Sequence, residues 1–366
     1  MDELLCEVLD LQRVWQAQNT DAMKRRGVLI RTEISEWLRG QTEAIAEVMG
    51  LPVEDVKAEG RDGTGLKTEV AWVRIHSQSR SPSATNGWYV VYLFSGDGER
   101  VYLSLNQGTT QWNGGEFKPR KTADLRKRVD WARPKISHEV AERTDLLETI
   151  HLSARTPLGR GYEPGNVIAI EYHRDAIPGP GILRTDLLFM ARVLGALYRS
   201  ADATPYIPGD VPLEVREATQ SAATTASRRT TRGSGQGFLL TAAERRAIEL
   251  HSVRLATEHF EAEGWSVKDV GATKSYDLHL TRGEERLHME VKGTTSDGGQ
   301  VILTRAEVES QREFAPANAL VIVHSIALDR SVKPVTATGG VLHCTSPWQI
   351  EDDSLTVVSY IHRTSL

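Results

Sequence analysis

Between Tyr276 and Gly293 the chain sets Asp277 thirteen residues ahead of the triplet Glu290-Val291-Lys292. The flanking residues alternate polar and apolar around Gly283-Glu284, which predicts two strands closed by a two-residue turn. In that register facing residues have numbers that sum to 567, so Thr281 faces Arg286, His279 faces His288 and Asp277 faces Glu290. The period-two pleat then puts Asp277, His279, Thr281, His288, Glu290 and Lys292 on one face. Leu278, Leu280, Leu287, Met289 and Val291 fall on the other, buried face. Opposed side chains lie about 5 Å apart at Cβ, where like charges repel. A hard divalent cation offsets that repulsion, and Mg²⁺ prefers carboxylate oxygens while keeping waters for attack on phosphorus. Lys292 returns to the same face, where an ammonium can hold the attacking water or stabilise charge on a pentavalent phosphate. The expected chemistry is metal-dependent hydrolysis at phosphorus. The alternative is a surface hairpin with ordinary solvated ion pairs, because this spacing also arises by chance.

The surrounding elements fit a positioned site. Thr241 to Gly264 carries Ala243, Ala247, Leu250, Val253, Ala256 and Phe260 at helical spacing, with Thr241 as cap and Gly264 as stop. Glu249 flanks that stripe. Downstream come a strand-like Val301-Ile302-Leu303, a short helix from about Arg305 to Phe314, and the apolar run Ala319 to Ile326, expected as a buried strand. Gln311 on the short helix either faces the site or belongs to the helix's polar surface, and the surface is the preferred placement.

With those pieces in place, residues from about 238 to 340 resemble the PD-(D/E)XK nuclease superfamily. They are most similar to the nuclease-like domain named after the carboxy-terminal region of the plant protein NO VEIN. The resemblance rests on the helix with Glu249, Gly264-Trp265 before Val267-Lys268-Asp269-Val270, Tyr276-Asp277-Leu278, Glu290-Val291-Lys292-Gly293 and Leu303-Thr304-Arg305-Ala306-Glu307. It implies an α/β domain, a mixed sheet flanked by helices. It also implies Asp277, Glu290 and Val291 as metal ligands, Lys292 as catalytic lysine and Glu249 as a further acidic contributor. Mg²⁺ is the implied cofactor, with Mn²⁺ as a substitute. Tyr276 stands where the superfamily's name has proline.

Composition bounds the rest. The 366 residues suffice for two ordinary cores, and 40% hydrophobic with 25% charged is normal for soluble globular protein. No charged-then-apolar leader and no apolar run of roughly 20 residues is present, so a cytoplasmic protein without membrane contact is expected. Cys6 and Cys344 lie near opposite ends with no zinc or disulfide spacing, and both are expected to be reduced and structural. A net charge of −5 means that any nucleic-acid affinity must come from local basic patches.

From Ala218 to Gly237 only Ala, Thr, Gln, Ser, Arg and Gly occur, none of which anchors a core. The expected organisation is therefore 1–205, a flexible linker over 206–237, and 238–366. Arg228, Arg229 and Arg232 in the linker either touch a phosphate backbone or simply keep it soluble. The first domain opens with helical patterning over about Glu3–Gln18 and Arg31–Met49. Strands are expected over Val70–His76, Trp88–Phe94, Arg100–Leu105 and Asn166–Tyr172, and a helix over Asp186–Tyr198.

Trp72-Val73-Arg74-Ile75, Ser81-Pro82-Ser83-Ala84, Gly87 to Phe94, Tyr102 to Thr109 and Gly165 to Tyr172 resemble the amino-terminal domain of McrB-like restriction proteins over most of residues 5–200. That resemblance implies an α+β DNA reader, associated in the McrB proteins with modified cytosine. A reader of this kind rotates its base out of the stack into an aromatic-lined pocket. The candidate walls are Trp112, Trp72 and Tyr89, whereas the Trp88, Val90, Tyr92 and Phe94 row is expected to be packing. Lys118 to Lys135 holds eight basic residues, and Arg120, Lys121, Arg126, Lys127 and Arg128 are the candidates for phosphate contact, with Lys24-Arg25-Arg26 as a weaker group. A solvated charged face is the alternative.

No G-x-x-x-x-G-K-[ST] loop occurs, so no nucleotide cofactor is expected, and no methylase motif is evident. These features together favour a modification-dependent restriction endonuclease acting on double-stranded DNA, with two copies pairing, either beforehand or only on DNA, for a double-strand break. Two other readings stay open: a conventional restriction endonuclease protected by a separate methylase, and a non-catalytic DNA-binding protein with a decayed nuclease fold. Asp277, Glu290 and Lys292, all intact, argue against the last.

Overall fold

The computed structural model describes residues 1–63, 65–113, 116–204, 206–210 and 240–357, with the single positions 215 and 218. Side chains of residues 111–117 are not described, and the expected linker lies almost wholly outside the described residues. The chain divides into two compact units, Met1–Gly209 and Asp210–Leu366. No described helix is long and apolar enough to cross a membrane.

The amino-terminal unit is built on an antiparallel sheet of order β1-β2-β3-β4-β7. Its strands are β1 (Val56–Arg61), β2 (Trp72–Ser77), β3 (Trp88–Phe94), β4 (Arg100–Gln107) and β7 (Ile168–His173), with a separate ribbon of β5 (Thr110–Asn113) and β6 (Glu116–Pro119). Aromatic and β-branched residues dominate β3, and every one of its residues is buried. One sheet face, with Val73, Ile75, Trp88, Val90, Tyr92 and Phe94, meets the helices α1 (Asp2–Gln12), α3 (Ile34–Arg39), α4 (Thr42–Met49), α5 (Thr122–Val140) and α7 (Pro180–Asp202) in the main core. The other face buries Trp72, Tyr89, Val91, Leu93 and Tyr102 beneath Ile150 and Leu152.

Several expected boundaries move. The first helix stops at Gln12, and Thr20, whose hydroxyl accepts from Met23 N–H at 3.3 Å, starts a separate α2 (Asp21–Val28). The expected Arg31–Met49 helix is broken at Gly40-Gln41, and α4 ends on Gly50 at φ 71°, a left-handed conformation suited to glycine. The basic stretch after Lys121 is itself a helix, α5, with Leu125, Val129, Ala132 and Ile136 turned inward.

The carboxy-terminal unit has a mixed sheet of order β12-β11-β10-β9-β8. The strands are β8 (Ser266–Asp269), β9 (Leu278–Arg282), β10 (Glu285–Gly293), β11 (Asn318–Asp329) and β12 (Thr336–Thr345). Two helices, α8 (Ala242–Ala262) and α9 (Arg305–Phe314), each begin with a capping box, Thr241 with Glu244 and Thr304 with Glu307. The β9–β10 register pairs Thr281 with Arg286 and His279 with His288, as the alternation required. β10 and β11 run parallel, with Glu290 beside Leu320 and Lys292 beside Ile322.

Val301-Ile302-Leu303 forms no strand. β10 already has β9 on one edge and β11 on the other, so the crossover that follows it finds no ladder to join. The inward face of α8 also differs from the expected stripe: Ile248, Ser252, Ala256 and Phe260 are buried, whereas Leu250 is 52% exposed. The apolar stripe was misjudged because small and polar side chains sit where helix and sheet come closest. A Cβ on Gly293 would lie 2.1 Å from Ser252 Oγ and 2.7 Å from Ile248 Cγ2, so the glycine that ends β10 sets the approach of α8.

That approach makes Gly293→Ala an overpacking substitution, expected to destabilise the carboxy-terminal unit by about 1–3 kcal/mol. Calorimetry of the full chain reads it as a lowered transition for that unit alone, and an unchanged transition would show that the contact is not close.

Candidate functional site

The site forms where β9 begins against the end of β10. Asp277 N–H donates to Met289 O at 3.0 Å, which carries the hairpin register one step beyond the ladder and sets Asp277 beside Glu290. Asp277 Oδ2 accepts the Val291 N–H at 2.8 Å. Val291 turns its own side chain into the core, leaving only its main chain toward the site. Glu290 is 1% exposed: Oε1 meets Lys292 Nζ at 2.8 Å, and Oε2 has no hydrogen-bond partner among the described residues.

Lys292 Nζ also donates to Glu307 Oε2 at 3.0 Å, and that same oxygen accepts the Thr304 N–H at 2.9 Å. Glu307 therefore closes the cap of α9 and holds the lysine with one carboxylate. Its motif, Leu303 to Glu307, is visible in the sequence, but only the fold brings the cap over β10.

Three carboxylates around one ammonium leave negative charge in excess. Burial pushes the Glu290 carboxyl up to about 8, with Asp277 and Glu307 adding to the effect and Lys292 opposing it. Asp277 is also raised, chiefly by burial, against the Val291 N–H and Lys292 and with help from the charges of Glu307 and Glu249. Burial works to lower Lys292, but the charges and hydrogen bonds of Glu290 and Glu307 outweigh it and hold the ammonium charged. Glu249 is exposed and pairs with Arg246 at 3.0 Å, so it stands at the rim as a charge felt by Asp277.

The donor chemistry suits a hard cation. Among the described residues no group of three or more His, Cys, Asp or Glu is placed to hold a metal, so the shell would consist of two carboxylates, the main chain at Val291 and water. Mg²⁺ accepts such a sparse oxygen set, and the unpartnered Glu290 Oε2 is the buried acceptor that a cation would satisfy.

An aromatic cluster borders the carboxylates. His288 stacks on Phe314 at 3.8 Å, Tyr276 meets His288 edge-on at 4.9 Å, and His279 lies 5.0 Å from His288. Tyr276 thus packs the site wall, edge-on to both His288 and Phe314. Only the shared strand face of His279 and His288 pointed to this cluster from the sequence.

In the amino-terminal unit, Trp72 and Tyr89 are 8% and 2% exposed inside the second core, and Tyr89 donates its hydroxyl to Gln107 O at 2.6 Å. They are placed as packing, because the second sheet face is covered rather than open. The side chain of Trp112 lies outside the described residues. Lys121, Arg126 and Lys127 are exposed at the start of α5. Arg128 is a correction: it is 3% exposed, bonds Gln107 Oε1 and lies 4.5 Å above the Trp88 ring. Arg120 is half-buried against the carbonyls of Gly108 and Gly209. Of the Lys24-Arg25-Arg26 group, Arg26 is buried on Gln12 and Thr68, whereas Lys24 pairs with Asp21 and Arg25 with Glu7 and Glu33 at the surface. Cys6 and Cys344 are both free thiols, one in each unit.

A family model described as the MrcB-like N-terminal domain matches residues 10–199, and one described as the C-terminal region of protein NO VEIN matches residues 243–336. No curated protein and no solved structure matches the chain.

The raised Glu290 pKa has a stability consequence. Between the ordinary 4.5 and about 8 the folded state keeps a proton that the unfolded chain releases, so metal-free stability of the carboxy-terminal unit should fall as pH rises through that window. Glu290→Gln should flatten this dependence and raise the stability at pH 8. Calorimetry from pH 5 to 8.5 checks both, and a pH profile shared by wild type and variant would refute the assignment.

Proposed function

The chain belongs to the MrcB-like N-terminal domain family, and from that membership and the Asp277, Glu290 and Lys292 constellation we infer a restriction-type DNA endonuclease. Residues 1–205 would select double-stranded DNA, 206–237 would tether, and 238–366 would cut with a PD-(D/E)XK-type nuclease site. The observation that carries the reading is the buried Glu290 beside the half-buried Asp277, with a charged lysine on the same sheet face, on a unit that matches the NO VEIN C-terminal region.

Asp277, Glu290 and the Val291 main chain would hold Mg²⁺, or Mn²⁺ in its place. When bound, the cation supplies an acidified water and neutralises charge on the phosphate. The chain's own groups do the rest. Lys292, held protonated by its two carboxylates, serves as an electrostatic clamp on the attacking water and on the equatorial phosphate oxygens, rather than as a base. Asp277 is fixed by the Val291 N–H, so its free oxygen is aimed without loss of side-chain freedom at the moment of binding. The cutting step needs no nucleotide.

We read the DNA preference as modified cytosine, on the association of this reader family with it. A nuclease whose own sequence shows no methylase motif is tolerable when ordinary DNA is spared. One site cuts one strand, so a double-strand break calls for two copies. On the reader, phosphate contact falls to Lys121, Arg126 and Lys127, whose side chains are exposed.

Matched duplexes carrying cytosine, 5-methylcytosine or 5-hydroxymethylcytosine, incubated with Mg²⁺, test the whole reading. Only the modified DNAs should be cut, and Asp277→Ala should abolish cleavage. Cutting of unmodified DNA at a fixed motif would overturn modification dependence, and no cutting of any substrate would overturn the enzymatic reading. Lys292→Ala should lower the cleavage rate by about 10² or more while DNA affinity is retained. The basic residues should separate: Arg126→Ala and Lys127→Ala weaken binding similarly for all sequences and reduce its salt dependence, whereas Arg128→Ala lowers the stability of the amino-terminal unit.

A further inference from the structure

The carboxylate face of β10 presents Lys292, Glu290 and His288 in succession, and α9 lies along it in the opposite sense. Glu307 of α9 bonds Lys292 at 3.0 Å, and Phe314 stacks on His288 at 3.8 Å. Gln311 lies between those two anchors, one helical turn from Glu307. Four helical residues advance about 6 Å and two strand residues about 6.6 Å, so Gln311 falls opposite Glu290.

Its state is unusual for a helical glutamine. The residue is 0% exposed, and neither its amide nitrogen nor its amide oxygen has a hydrogen-bond partner among the described residues. Its main-chain carbonyl is spent on Asn318 Nδ2 at 2.8 Å, which fixes the backbone but leaves the side chain unsatisfied. Polar surface of the helix, the expected role, is excluded by that burial. Glu290 Oε2, opposite it, is likewise without a partner among the described residues, as is His279 Nδ1 further along the same face. A buried polar group without a partner costs about 1–3 kcal/mol, so two in one layer point to a state in which both are satisfied.

We propose that Gln311 is a positioning residue of the metal site: its side-chain amide completes the hydrogen-bonding of Glu290 when that carboxylate is ionised and holds a divalent cation. The amide nitrogen would donate to one lone pair of Glu290 Oε2 and so turn that oxygen's second lone pair toward the ion, while the amide oxygen would accept a hydrogen from a neighbouring water. Complete burial keeps Gln311 off the DNA, so it acts through Glu290. An orienting partner of this kind changes metal affinity by about 10–100-fold. This inference rests on the reading of Asp277 and Glu290 as metal ligands.

The test uses the full chain with Gln311→Met, which keeps the length of the side chain, and Gln311→Leu, with Asp277→Ala as the site control. Melting is followed without metal and with Mg²⁺ or Mn²⁺ alone, and affinity is read by calorimetric titration. Both Gln311 variants should melt at or above the wild type without metal, bind Mg²⁺ about tenfold more weakly, and lose turnover rate with KM for DNA unchanged. A merely structural glutamine gives the reverse: lower metal-free melting and an unaltered metal response. That outcome, in a wild type whose metal binding Asp277→Ala abolishes, overturns the role of Gln311 alone. A wild type that binds neither ion overturns the metal-site reading and this inference with it.

Discussion

A single hydrogen bond, from the Val291 main-chain N–H to the Asp277 carboxylate Oδ2 at 2.8 Å, organises the charged face of the carboxy-terminal unit. It fixes the first carboxylate on the residue between Glu290 and Lys292, so the three charged groups share one rigid segment rather than three independent rotamers. β10 can serve as that segment because it is paired on both edges, antiparallel to β9 and parallel to β11. Slipping its register by one residue would bury Lys292 and expose Val291, so the apolar face that builds the core is also what orders the site. Gly293 extends the same constraint to the far side of the sheet, where α8 comes closest.

Electrostatics explain why that segment is poised rather than relaxed. An ion pair between Glu290 and Lys292 would neutralise itself in isolation, but Asp277 and Glu307 bring further negative charge into the same buried layer. Burial makes the excess costly, and the cost falls on the carboxyls of Glu290 and Asp277, which are raised, while the lysine stays charged. A cation relieves all of these at once. Glu307 shares the Lys292 ammonium with Glu290, and its duty in the helix cap fixes the oxygen that does so.

The hairpin was legible in the sequence because its alternation is strict: Leu278, Leu280, Leu287, Met289 and Val291 leave only one register that buries them all. The Arg305–Phe314 helix was legible for the same reason, through the capping box at Thr304 and Glu307. What failed was judgement from side-chain type alone. Gln311 and Arg128 are polar, sit on helices and were read as surface, yet both are buried, because a helix face is assigned by what packs on it and that depends on distant strands. α8 misled in the opposite direction, exposing Leu250 and burying Ser252, since close helix-to-sheet approach favours small residues. Val301-Ile302-Leu303 has strand composition but follows a strand with both edges occupied, a fact of topology that no local window contains.

The amino-terminal unit shows how far charge counting can mislead about an interface. Arg26, Arg74 and Arg128 are each nearly inaccessible and bonded inside the unit: Arg26 to Gln12, Arg74 to Glu59 and Ser81, Arg128 to Gln107 over the Trp88 ring. Buried arginines of this kind fasten loops and strand ends to the core, and they are lost to any electrostatic footprint. With the chain at −5 overall, the exposed basic residues of α5 would offer the proposed reader few phosphate contacts, and its affinity would depend only modestly on salt. On the proposed reading, discrimination among DNAs would then rest on base contacts and shape rather than on a strong grip on the backbone.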